Sequence, residues 1–140
     1  MKLAPATETP LDWQANHELQ WVGHQGQRKQ QIVWSGCLAR SPGHKSVAVI
    51  DREQVAHEFV GSPAADYHVP RHHDSIERFL YEPHAAVRAA SLEGDLASQL
   101  GVDLLPTAPS FMTSPQSIDS PFVTRFEVLQ VTNKKNLAKT

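Results

Sequence analysis

The sequence predicts an α+β fold, a mostly antiparallel sheet with one long helix. Strand-like segments of alternating or continuous apolar residues come first, at 18–24, 29–35 and 45–51. A longer segment with leucines at i, i+4 spacing follows at 83–100, and short strand-like segments return after it. This element order, β-β-β, loop, α, β, β, is typical of helices packed on one side of an antiparallel sheet.

Length and composition support one globular domain, or two very small ones sharing a core, and exclude several classes of protein. The chain has 140 residues, of which 40% are hydrophobic and 20% charged, which is near the globular average. Its formal charge of −2 argues against a strongly basic nucleic-acid binder. Cys37 is the only cysteine, which excludes an intramolecular disulfide and a multi-cysteine zinc site. No signal segment or membrane-length apolar run is visible, so we expect a cytoplasmic protein without membrane contact.

The first half of the chain is predicted to form a hairpin and a third strand. Residues 1–12 contain two prolines and no periodicity, which predicts a flexible leader. A glycine-containing turn at 25–27 connects strands 18–24 and 29–35. The strand at 45–51 has four consecutive apolar residues, as expected of an interior strand.

The second half is predicted to contain a loop, a helix and two strands. Residues 52–78 are polar and proline-broken, which predicts a loop with a short helix around 52–58. Pro83 suits the first helical position, and Gly101 suits a left-handed stop, so one helix should lie between them. Glu82 would then lie at the positive end of that helix, where a carboxylate is stabilised. Short strands are predicted at 111–113 and 122–131.

Candidate nucleic-acid contacts lie in a stretch that lacks carboxylates. No acidic residue occurs from 19 to 50. The cations of this stretch would gather on the hairpin turn and the neighbouring loops, where they could contact phosphates. The simpler alternative is an ordinary solvent-exposed face that lacks carboxylates. A frayed basic tail is likewise the simpler explanation of the last lysines. The candidate RNA-binding residues are Arg28, Lys29, Arg40, Lys45, Lys134 and Lys135.

A histidine-rich segment is the candidate metal site. His68, His72 and His73 lie near Asp66 and Asp74. A metal site needs three or four convergent ligands, and this spacing matches no zinc pattern. We therefore interpret them as surface histidines.

Two further features have structural explanations. Trp21 and Trp34 could stack on bases, but we predict that they face each other across the hairpin as core or cross-strand partners. Cys37 has no identifiable oxyanion turn or orienting acid for nucleophilic catalysis. No catalytic, cofactor-binding or metal residue is assigned.

Three fragments, in order, resemble one known family. They are WVGHQG…KQQIVWSG at 21–36, FLYEPHAAVRA at 79–89, and FMTS at 111–114 followed by PF at 121–122 and FEVL at 126–129. Together they are similar to the C-terminal ferredoxin-like plus THUMP-like region of bacterial class I methyltransferases that use S-adenosylmethionine (SAM).

The resemblance covers about residues 13–137 and implies a domain organisation. After the leader at 1–12, it implies a ferredoxin-like β-rich segment at 13–62, a loop at 63–78 and a THUMP-like segment at 79–140. The family's catalytic domain, which uses SAM, precedes this region. The chain itself has no Gly-rich cofactor motif, so the resemblance implies no cofactor here.

The resemblance implies an accessory module that positions structured RNA (tRNA or rRNA). The same resemblance also allows a module that docks onto the catalytic domain. The alternative is an orphan structural module that self-associates or binds a separately encoded methyltransferase. Two positions depart from the family pattern. Arg28 stands where relatives often have cysteine, and Ser91 interrupts a usually more apolar stretch.

Overall fold

A computed structural model describes residues 1–62, 71–106 and 110–132 and confirms the α+β class. The strands are β1 (Lys2–Leu3), β2 (Glu18–His24), β3 (Gln27–Trp34), β4 (Lys45–Ile50), β5 (Ala56–Val60), β6 (Phe79–Pro83), β7 (Asp103–Leu104), β8 (Met112–Ser114) and β9 (Val123–Glu127). The helices are α1 (Leu11–Asn16), α2 (Ala85–Ala90) and α3 (Glu93–Leu100), with a 3-10 turn at Gly36–Leu38.

The first sheet is built around the predicted hairpin. Its strand order is β1-β3-β2-β4-β5, and only the β2–β4 pair is parallel among the described strands. Gln25 and Gly26 make the hairpin turn with φ of 52° and 76°, the positive values that a tight two-residue turn requires. A bulge beside Val22 and Gly23 leaves Lys29 without a cross-strand partner.

The second sheet is antiparallel, with order β7-β8-β6-β9. Its central strand carries Tyr81, which is fully buried. The Tyr81 hydroxyl donates to the carbonyl of Gln116 at 2.6 Å and accepts from the amide of Ile118 at 3.1 Å. One side chain therefore holds the loop between β8 and β9 against the sheet.

A single core joins the two sheets. Helix α2 packs across β2, β3 and β4, because its buried residues Ala86, Val87 and Ala90 form one apolar stripe. The ring centroids of Phe59, on the first sheet, and Phe122, before β9, lie 5.8 Å apart. The same cluster contains Leu19, Trp21, Val33, Val47, Val49, Tyr81, Leu92, Leu96 and Met112.

Two predicted irregular regions contain strands. Residues 1–12, predicted as a flexible leader, include β1 and the start of α1, and the Met1 ammonium donates to the Val33 carbonyl at 2.8 Å. Strand β5 lies in the predicted loop, so the short helix suggested at 52–58 is wrong. Both strands lie at sheet edges and show little periodicity, because β1 has two residues and β5 buries only Phe59.

The helix predicted at 83–100 is two helices. Helix α2 ends at Ala90, and the following C-cap residue Ser91 adopts a left-handed conformation with φ of 57°, which is unusual for a residue other than glycine. The break turns Leu92 into the core, where it is 4% exposed. Gly101 ends α3 with a φ of 72°, as predicted.

The start of the helix also differs from the prediction. Pro83 ends β6 and pairs with Val123, so it is not the first helical residue. His84 caps α2 instead, because its Nδ1 accepts from the Ala86 amide at 3.0 Å. The other predicted strands are confirmed, although β9 ends four residues before the predicted end at 131. Over the described ranges, no helix has the length and hydropathy to span a membrane.

Candidate nucleic-acid interface

The four candidate cations of the first sheet lie at opposite ends of β2. Arg28 pairs with Gly23 near the end of β2. Arg40 lies at its start, where the Arg40 amide donates to Glu18 Oε1 at 3.1 Å, and Lys45 begins the neighbouring β4. Glu18 and Gly23 are five positions apart along β2, which is about 17 Å at ~3.3 Å per residue. The prediction that these cations gather in one patch on the turn and the neighbouring loops is wrong, because the β3–β4 connection lies at the start of β2, at the opposite end from the turn.

Arg40 and Lys45 are already engaged by other groups. The Arg40 Nη1 lies 3.2 Å from Glu58 Oε2. The Lys45 Nζ donates to the Ala90 carbonyl at 3.4 Å and lies 5.9 Å from the centroid of the Trp21 ring, within cation–π range. An exposed ion pair adds little stability, but its carboxylate repels an incoming phosphate. These two residues are therefore the poorer phosphate contacts.

The hairpin tip, defined here as residues 25–29, carries the other two cations. Arg28 and Lys29 are both exposed. The Lys29 Nζ donates to Gln27 Oε1 at 2.9 Å, and no carboxylate of the described residues forms an ion pair with either side chain. Because the bulge removes Lys29 from the ladder, the tip presents two adjacent cations at one end of the sheet.

A groove of about 240 Å³ lies beside the hairpin tip. Gly26 of the tip lines it together with His84, Arg88 and Thr124. The Arg88 Nη1 lies 3.4 Å from Glu82 Oε1, so Glu82 contacts a side chain rather than only the helix end. The sequence did not identify Arg88 as a neighbour of the tip, because the helical pattern only predicts that Arg88 lies on the solvent-exposed side of a helix.

His84 fixes the distance between α2 and the hairpin. A Cβ atom added at Gly23 would lie 2.3 Å from His84 Cε1, so the imidazole packs directly on the glycine backbone. Burial, and then the charge of Arg88, lower the pKa of His84. Both causes favour the neutral imidazole, which is the form whose Nδ1 accepts from Ala86. His84 is thus a structural residue at the edge of the groove.

The histidine-rich segment shows no metal site where it is described. His73 Nδ1 lies 2.7 Å from the Ser75 carbonyl, and its Nε2 lies 3.4 Å from Glu77 Oε1. Within the described residues, no three His, Cys, Asp or Glu side chains converge as metal ligands would. Four residues named above lie outside the described ranges: Asp66, His68, Lys134 and Lys135.

The two hairpin tryptophans lie on opposite faces of the first sheet. Trp21 pairs with Gln31 and belongs to the core, as predicted. Trp34 pairs with Glu18 on the other face, where its Nε1 donates to Gln20 Oε1 at 3.1 Å. The prediction that the two rings face each other is wrong, because the turn at 25–26 and the bulge set a register in which neither ring opposes the other.

Comparison with known proteins rests on structure rather than sequence. No protein-family model matches this sequence, and no curated protein matches it significantly. A crystal structure of a candidate methyltransferase from Porphyromonas gingivalis W83 superposes with a TM-score of 0.73 at 22% sequence identity. The match covers 92% of this chain and 34% of that chain. At this identity the likeness shows the fold alone: this chain folds like about one third of that larger protein.

Proposed function

We propose that this chain is a non-catalytic accessory module of a bacterial class I SAM-dependent methyltransferase, and that it positions structured RNA for the catalytic domain. The observation that carries the proposal is the match of nearly the whole chain to about a third of a candidate methyltransferase. Such a part-length match is expected of a module that works beside a catalytic domain. In this arrangement SAM binds to the catalytic domain, and the module acts in the cytoplasm on tRNA or rRNA.

The hairpin tip supports the RNA part of the proposal. Its two exposed cations, Arg28 and Lys29, have the charge and reach to contact phosphates. Proteins recognise structured RNA largely through its shape and backbone, which suits a small exposed tip. Arg88 extends the positive surface across the groove, although Glu82 partly neutralises it. Because the formal net charge is −2, affinity has to come from this local patch and should fall steeply with salt.

The test is a salt titration of tRNA binding by two matched double variants. Arg28→Gln/Lys29→Gln and Arg40→Gln/Lys45→Gln each remove two positive charges, the first pair at the tip and the second at the opposite end of β2. We expect the tip variant to bind more weakly. The negative slope of log K against log[salt] should become shallower by about 1.4–1.8, as expected for the loss of two phosphate contacts. The control variant should keep the slope of the unmodified chain.

Two outcomes would refute RNA positioning by the tip. One is absence of binding at low salt by a chain that circular dichroism shows to be folded. The other is an equal loss in both double variants, which would indicate dependence on overall charge. Arg40 and Lys45 would then contribute to RNA binding as much as the two cations of the tip do, although Glu58 and the Ala90 carbonyl already contact them.

A second candidate function is docking onto the methyltransferase catalytic domain. Exposed apolar side chains on β9 and the residues after it favour this function. Phe126, Leu129 and Val131 are 46%, 92% and 66% exposed, and β9 is an edge strand among the described strands. Exposed apolar surface on an unpaired edge is typical of an interaction site.

Docking is tested with Phe126→Ser/Leu129→Ser and recombinant class I methyltransferase domains from the same organism. Binding by the unmodified chain that this variant loses would support docking. Equal binding by both would contradict it. Concentration-dependent self-association that the variant abolishes would favour the orphan module that self-associates.

A further inference from the structure

A second cavity lies on the first sheet, away from the hairpin tip. This N-terminal pocket, of about 400 Å³, lies between the segment 7–14 and the face of the sheet that carries Leu19, Trp21, Gln31 and Lys45. Its volume falls within the ~300–1,000 Å³ typical of small-ligand sites. Neither the hairpin tip nor β9 contributes to its lining.

Gln31 is the unusual residue of the N-terminal pocket. It pairs with Trp21 and Leu3, so its side chain lies on the face covered by the N-terminal segment. Gln31 is 0% exposed, and neither its Oε1 nor its Nε2 has a hydrogen-bond partner among the described groups. Buried amides are almost always paired, and an unpaired one costs stability. A complete carboxamide left unpaired beside a cavity therefore points to a ligand.

An aromatic ring and a cation lie beside this amide. The Trp21 Nε1 donates to the Pro5 carbonyl at 3.2 Å, which fixes the indole and ties the N-terminal segment over the sheet. The Lys45 Nζ lies 5.9 Å from the centroid of that ring. The carboxylate of Glu8 also lines the pocket, so the pocket combines a neutral donor–acceptor pair, an aromatic wall, one ammonium group and one carboxylate.

We propose that the N-terminal pocket binds a single nucleobase, with Gln31 pairing to its polar edge and Trp21 forming an aromatic wall. A carboxamide presents a donor and an acceptor side by side, which matches the edge of a nucleobase. Aromatic side chains suit base stacking. A purely apolar ligand would leave Gln31 unpaired, and a simple anion would use only Lys45.

The base belongs to a free nucleotide or to a nucleotide of single-stranded RNA. Both present the same base and phosphate. Because Gln31 is fully buried, a base reaches its amide only if the neighbouring wall of the pocket shifts. The inference goes beyond the proposed function and does not need the RNA contact at the hairpin tip.

The test is a titration of the 140-residue chain with AMP, CMP, GMP and UMP, and with ribose 5-phosphate as a base-free probe. We expect at least one nucleotide to bind and ribose 5-phosphate not to bind. Gln31→Leu keeps the side-chain volume and should weaken binding about tenfold or more, since it removes two hydrogen bonds. The matched control is Gln30→Leu, one residue earlier on the opposite face, which should leave binding unchanged. Urea unfolding of both variants confirms that they fold.

Further arms distinguish the source of the base and separate this site from the tip. Competition by a single-stranded RNA decamer assigns the base to RNA, and its absence assigns the base to a free nucleotide. Arg28→Gln/Lys29→Gln should leave nucleotide binding intact even where it abolishes tRNA binding. The proposal is overturned if no nucleotide binds a folded chain at millimolar concentration, or if Gln31→Leu and Gln30→Leu weaken binding equally.

Discussion

The contact between Gly23 and His84 predicts that one added methyl group destabilises the whole fold. Gly23→Ala places a Cβ 2.3 Å from His84 Cε1 and 2.9 Å from Nδ1, whereas carbon atoms pack at about 3.5–4.0 Å. The ring therefore has to retreat by roughly 1 Å, which breaks the Nδ1 cap on the Ala86 amide. Overpacking costs about 1–3 kcal/mol and loss of a cap about 1 kcal/mol, so we expect a total loss of about 2–4 kcal/mol.

The measurement is urea unfolding at pH 7.5, followed by circular dichroism. The matched suppressor is Gly23→Ala/His84→Ser, because serine removes the ring and is a favoured N-cap residue. We expect the double variant to be more stable than additivity predicts by at least about 1 kcal/mol. At an unconstrained strand position Gly→Ala is favourable by about 0.5–1 kcal/mol. A neutral or stabilising Gly23→Ala, or strictly additive effects, would refute the contact between α2 and the hairpin.

The remaining predictions concern one hydroxyl and two titratable groups. Tyr81→Phe removes the donor to Gln116 and the acceptor for Ile118, and should lower the free energy of unfolding by about 1–3 kcal/mol in urea titrations. Burial lowers the pKa of His84 below its ordinary 6.5, so the unfolded chain binds more protons between the lowered value and 6.5. The free energy of unfolding should therefore fall as pH falls through that window. His84→Ser should reduce this pH dependence, as measured by urea unfolding at several pH values. An unchanged pH dependence in the variant would contradict the prediction. Burial also raises the pKa of Glu93 above its ordinary 4.5. Between 4.5 and the raised value the folded chain therefore binds more protons than the unfolded chain, and the free energy of unfolding falls as pH rises through that window. Glu93→Gln should consequently be more stable than the unmodified chain at pH 7, and lower stability at that pH would show that the carboxylate is favourably placed.

The elements that could be predicted are those with a strong local pattern. The hairpin strands and β4 follow from apolar alternation and from the four-residue apolar run of an interior strand. The elements that could not be predicted depend on tertiary contacts. Strands β1 and β5 exist because a neighbouring strand offers a free edge, and Ser91 breaks the helix so that Leu92 can enter the core.

The candidate sites depend on register and connectivity, which local patterns do not reveal. The separation of Arg28 from Arg40 follows from the β3–β4 connection, which returns to the start of β2. Similarly, the bulge at Lys29 decides whether Gln30 or Gln31 faces the core, because one residue of slip exchanges the faces of a strand. The cations were therefore identifiable from the sequence, but their grouping and the N-terminal pocket were not.

The most direct test of the RNA-positioning module is ultraviolet crosslinking of the folded chain to tRNA, with the crosslinked peptides mapped by mass spectrometry. We expect crosslinks on the hairpin tip at residues 25–29 and on the neighbouring groove around Arg88, and we expect Arg28→Gln/Lys29→Gln to lose them. Absence of crosslinks, or crosslinks confined to the opposite end of β2 around Arg40, would contradict this expectation.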